Sequence, residues 1–139
     1  MMRPFELIEH TADIGVRAFG SSELEVFQNA AAGMFSLIAD PELVECRDEF
    51  DVRAEADDRE ALLVEWLNEL LYLHESQDLL LKRFEVKKLG ETELEARVCG
   101  EPIDRGRHEL MRDIKAATYH MLKLKESSKG WTTEVIFDV

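Results

Sequence analysis

The sequence predicts an α+β domain in which two main amphipathic helices, with a short third, pack on a mainly antiparallel β-sheet. Three observations carry this: two stretches with apolar residues at three- and four-residue steps, several short runs of alternating or β-branched residues, and no repeating strand–helix alternation. At 139 residues, with three prolines and no low-complexity tract or internal repeat, residues 1–139 are expected to form a single domain.

The opening "FELIEH" and the following "IGVRAFG" alternate loosely and read as two short strands around a His10–Asp13 corner. Ser22 and Glu25 then have capping-box spacing, and the helix they open carries Phe27, Ala30, Ala31, Met34, Phe35 and Ile38 on one stripe until Pro41 ends it. From Val44 to Ala56 the chain alternates imperfectly, as a strand with one charged face would. Asp57 and Asp58 lead into the strongest helix, with Leu63, Trp66, Leu67, Leu70 and Leu71 on a wide apolar stripe. Trp66 is expected in the core, whereas Asn68 and Glu69 are expected to face solvent. Leu94, Ala96 and Val98 alternate with Glu93, Glu95 and Arg97 after Gly90, which predicts a hairpin. Leu110, Met111, Ile114 and Ala117 fit the short third helix, with β-prone residues from Thr118 onward, and "WTTEVIFDV" reads as a closing strand.

Thirty acidic against seventeen basic residues give a formal charge of −13. Such a field repels phosphate backbones, so direct nucleic-acid binding is not expected; cations or a basic protein partner are the natural complements, and solubility alone is the plainer explanation. No apolar run is long enough to span a bilayer and no signal-peptide pattern opens the chain, so the expected setting is cytoplasmic and off the membrane. Cys46 and Cys99 form no CxxC pair and are expected as reduced, buried thiols.

The chain ends Asp138-Val139, which sets a side-chain carboxylate beside the terminal one. If the final strand meets the corner holding Asp13, three hard oxygen donors converge, a set suited to Ca²⁺, Mg²⁺ or Mn²⁺. The plainer readings are a turn-stabilising Asp13 and a solvated chain end. Lys115 is by default a solvated lysine; beside the acidic cluster it would serve as counter-ion or phosphate contact. His10, His108 and His120 match no zinc or catalytic spacing. A glycine-rich phosphate loop, a nucleophile elbow and HExxH are all missing, so no complete catalytic constellation is present.

Five segments, "EHTADIG", "AAAGMFSLI", "LLVEWLNELLYL", "GEPIDRGRHELMRDIKAATYH" and "VIFDV", together resemble the archease family, in order and across essentially the whole chain. The resemblance implies an α+β sandwich and a non-catalytic protein cofactor of the RtcB-type tRNA-splicing ligase. Such a cofactor promotes guanylylation of the ligase's active-site histidine, permits multiple turnover and broadens nucleotide choice. It further implies a metal site at Asp13, Asp138 and Val139, with Ca²⁺ the expected ion in crystals and Mg²⁺ or Mn²⁺ as alternatives, and a functional Lys115. Two other readings stay open. One is a chaperone-like modulator of other RNA-processing enzymes such as tRNA methyltransferases; the other is a free-standing metal-dependent hydrolase, which would need a general base and a cleft the sequence does not display.

Overall fold

The computed structural model describes residues 3–9 and 13–139. Strands β1 (Phe5–Glu9) and β2 (Ile14–Gly20) precede helix α1 (Glu23–Ile38), a 3₁₀ turn (Pro41–Leu43) and β3 (Asp48–Glu55). Helix α2 (Arg59–Gln77) is followed by β4 (Leu79–Leu89), β5 (Glu93–Pro102), β6 (Ala116–Ala117), β7 (Lys123–Ser127) and β8 (Gly130–Asp138). Every strand pairing is antiparallel. One sheet has the order β1-β2-β8-β6, with β7 also on β8; the other has the order β3-β5-β4.

The helices form where local signals agree with burial. Ser22 caps α1 by accepting the Glu25 N–H, and Glu25 reaches back to the Ser21 N–H and hydroxyl, one residue earlier than the usual reciprocal box. Asp58 caps α2 by accepting the Ala61 N–H. Each helix touches strands of both sheets, so its apolar face is covered from two sides. Phe27, Met34, Leu63, Trp66, Leu67 and Leu70 have essentially no exposed surface, and each such side chain contributes about 1.5–3 kcal/mol by leaving water. Trp66 also places its indole N–H on Phe27 O at 2.9 Å, so its one polar atom is satisfied inside the core.

Three expectations need correction. No third helix forms: residues 103–115 run as a loop whose donors are claimed by distant acceptors. Ile103 N–H bonds to Asp78 O, Met111 N–H to Ile38 O and Lys115 N–H to Asp138 O. Of its supposed apolar stripe, Ile114 and Ala117 are buried, but Leu110 and Met111 stand out in solvent. The strand expected from Val44 begins only at Asp48, because residues 41–47 form the 3₁₀ turn and a connecting segment. The cysteines are not free thiols: Cys46 and Cys99 are joined in a disulfide, and Cys46 is exposed. The pairing of β3 with β5 sets Glu49 opposite Cys99, and Arg47 N–H bonds to Gly100 O, which brings the two Cα atoms to 5.0 Å.

Candidate functional site

The end of the larger sheet assembles residues remote in sequence. Ile14, the first residue of β2, pairs with Phe137 on β8, so Asp13 and Asp138 each lie one residue beyond the last pair of that register. On the other side of β8, Ala116 pairs with Asp138, and Lys115 N–H donates to Asp138 O at 2.8 Å. Val139 follows directly, 58% exposed. The backbones of Asp13, Lys115 and Asp138 thus come to one end of the sheet, with Val139 next in the chain. His10 lies outside the described residues, as do Thr11 and Ala12.

The edge is held from behind. Val135 and Phe137 are buried, so the last strand is seated in the core rather than frayed. Gly15 lets the backbones approach: a Cβ there would lie 2.3 Å from Val135 O, closer than any side chain allows. Asn68, expected in solvent, instead uses its whole amide on β6. Its Oδ1 accepts the Ala117 N–H at 2.8 Å and its Nδ2 donates to Ala117 O at 3.3 Å. The side chain thus acts as one more backbone partner for a two-residue strand. An asparagine in mid-helix between Leu67 and Leu70 was the signal for this, since asparagine lowers helix stability unless its amide has a use.

A second feature escaped the sequence reading altogether. Glu101, at the end of β5, is fully buried and charged. Arg107 meets both carboxylate oxygens, with Nη2–Oε1 at 2.5 Å and Nη1–Oε2 at 3.0 Å. Glu45 N–H donates to Oε2 at 2.7 Å, and His108 Nε2 lies 3.0 Å from the same atom. His108 Nδ1 accepts the Asp104 N–H, which assigns the proton to Nε2. The Arg107 hydrogen bond, helped by those from Glu45 and His108 and opposed by burial, lowers the Glu101 pKa from 4.5 to about 2. His108 is thus a structural histidine, and His120 is exposed. The loop so anchored is tied again where Arg112 pairs with Glu9 at 2.7 Å, and it ends at Lys115.

Asp13 and Asp138 bring carboxylate oxygens to this end of the sheet, donors of the type that hard divalent ions prefer. Among the described residues no three His, Cys, Asp or Glu side chains lie close enough together to hold a metal ion.

The model of the Archease protein family (MTH1598/TM1083) matches residues 5–139. The chain belongs to the archease family. Protein archease of Methanosarcina mazei is 39% identical, with 99% of this chain and 97% of the relative covered. Its counterpart in Pyrococcus furiosus is 37% identical over 99% of this chain and 100% of its own. Among solved structures, Methanobacterium thermoautotrophicum protein 1598 superposes with a TM-score of 0.85 at 38% identity, covering 99% of this chain and 100% of that one. A Thermotoga maritima archease, described as a possible chaperone, gives a TM-score of 0.63 at 25% identity, covering 100% and 98%. The α+β class read from the sequence is thus the archease fold. Among the described residues no helix of this archease is long and apolar enough to cross a membrane.

Proposed function

We propose that this archease is a non-catalytic, cytoplasmic activator of an RtcB-type tRNA-splicing ligase, which presents a cation-holding edge to the ligase's nucleotide site. The β2–β8 register that brings Asp13 and Asp138 to one end of the sheet, with the Lys115 backbone N–H bonded to Asp138 O, is the observation that supports this most directly. In this reading Asp13, Asp138 and the terminal carboxylate of Val139 hold a divalent ion, for which Ca²⁺, Mg²⁺ and Mn²⁺ all suit the oxygen donors. When bound, such an ion neutralises negative charge on phosphate oxygens. Lys115 supplies a cation of its own, a phosphate contact on a flexible stem. The rigid sheet end fixes where these groups sit, while bond making in guanylylation of the ligase's histidine belongs to the ligase. A net charge of −13 suits a basic, RNA-binding partner and disfavours direct contact with RNA.

The test is multiple-turnover RNA ligation by a purified RtcB-type ligase, across metals and nucleotides, with and without this protein. Asp13→Ala, Asp138→Ala, Lys115→Ala and deletion of Val139 are expected to abolish stimulation while melting as the parent does. Normal stimulation by these variants would overturn the proposal. The Thermotoga relative's description as a possible chaperone favours a second reading, in which exposed apolar groups such as Met111 shield other RNA-processing enzymes, for instance tRNA methyltransferases. Suppression of methyltransferase aggregation that survives Asp13→Ala would select it.

A further inference from the structure

The edge strand beside β8 is interrupted between β6 and β7. Thr118 still follows the β6 register, with its N–H and Oγ1 both bonded to Ile136 O at 3.0 and 2.8 Å. Pairing resumes at Lys123, opposite Glu134. Residues 119–122 therefore span a stretch in which β8 advances by a single residue, Val135. The excess chain leaves the sheet as a loop closed by Leu122 N–H on Tyr119 O at 3.1 Å.

Two of its four residues are large, apolar and mostly in solvent: Tyr119 is 58% exposed and Met121 62%. Met121 also has φ of 54°, in the left-handed region that glycine or asparagine enters more easily. A loop needed only to reverse the chain would take one of those residues; this one keeps a flexible thioether pointing outward against a backbone cost. The loop is also close to the acidic edge. Ile136 precedes Asp138 by two residues, which is about 7 Å along a strand, and exposed Val139 lies just beyond.

We infer that Tyr119, Met121 and Val139 form the docking surface that seats this protein on its partner enzyme, an apolar anchor bound next to a cationic, phosphate-binding cleft; the inference rests on the ligase reading. Charge identifies the occupant. The loop lies on β8 two residues from Asp138, within a chain of charge −13, so a complementary surface must be positive beside its apolar socket. A second copy of this chain would instead bring two acidic edges and two −13 charges together. Tyrosine and methionine are the residue types that interfaces concentrate at such anchors, and seating them would deliver the acidic edge to the cleft in one step.

Titration of the protein into a fixed amount of purified RtcB-type ligase separates docking from activation. The Tyr119→Ser/Met121→Ser double variant is expected to need about tenfold more protein for half-maximal stimulation, with the rate recovered at saturation. The Tyr119→Phe/Met121→Leu pair, which keeps the apolar surface, should behave as the parent. Asp138→Ala should show a different pattern, a lost plateau that no excess of protein restores. An unchanged half-saturating concentration for the double serine variant, with parental melting, overturns the docking surface and leaves the ligase reading intact. No stimulation and no binding by the parent protein overturns both.

Discussion

The carboxylate of Glu101 has no exposed surface, yet Arg107, His108 and the Glu45 N–H keep it ionised. A buried charge so held is costly to neutralise, because its partners lose their acceptor without regaining water. Glu101→Gln is therefore expected to lower stability by about 2–3 kcal/mol, less than a fully buried pair would lose, since Arg107 retains 39% of its side-chain exposure. The pH dependence follows from the sign of the shift. The folded-state pKa is depressed from 4.5 to about 2, so the contribution is complete above about pH 5 and fades as the pH falls from 4.5 toward 2. Chemical denaturation of parent and Glu101→Gln across that window checks this: the gap between them should be constant near neutrality and narrow below pH 4.5. A gap that stays constant down to pH 2.5 would contradict the assignment. The residue was invisible in the sequence because a glutamate between Gly100 and Pro102 reads as surface charge. Only the return of Arg107 and His108 across a loop makes burial tolerable.

At the scale of elements, what was legible was what is decided locally. The stripes of α1 and α2, their Ser22 and Asp58 caps and the hairpin about Gly90 depend on neighbours within a turn or two, and each is found where the spacing predicts. The segment 103–115 defeated the same logic. Its donors go to Ile38, Asp78 and Asp138, which periodicity cannot see, so a helical spacing of Leu110, Met111 and Ile114 yields a loop. The candidate site was read as residue types and, through the family resemblance, as positions; what brings residues 13 and 138 to the same end of the sheet is the β2–β8 register, which links the two ends of the chain and which no local pattern displays. Asn68 shows what such a register needs. A two-residue strand has little pairing of its own, and β6 keeps its place between β8 and α2 because Asn68 bonds both polar groups of Ala117. Asn68→Ala should destabilise the protein by about 1–2 kcal/mol. Native-state hydrogen exchange is the sharper readout, since the Ala117 amide loses its acceptor: its exchange should quicken about tenfold or more, while buried β5 amides change only by the global loss. Equal acceleration everywhere would mean that Asn68 contributes stability without holding the edge.

For the molecule as a whole, the Cys46–Cys99 bond closes a loop of 53 residues that includes β3, α2, β4 and most of β5. Cross-linking across that separation removes conformational freedom from the unfolded chain, worth about 4 kcal/mol on the chain-entropy account. That is a large share of the 5–15 kcal/mol by which domains of this size are usually stable. The expectation of free thiols rested on their distance in sequence and on the rarity of disulfides in reducing compartments, a rule to which hyperthermophile proteins are exceptions. What brings the cysteines together is strand pairing, with Glu49 opposite Cys99 and Arg47 N–H on Gly100 O. The bond also lies one residue from Glu45, whose N–H serves Glu101, so opening it frees the segment that completes the buried carboxylate's shell. Reduction should therefore cost more than entropy alone in the pH range where Glu101 is charged. Thiol titration of the denatured, unreduced protein should find no free cysteine. Reductant should lower the melting temperature of the parent and leave Cys46→Ser/Cys99→Ser unchanged, and the parent's loss should shrink in a Glu101→Gln background. Equal losses in both backgrounds would separate the disulfide from the carboxylate cluster.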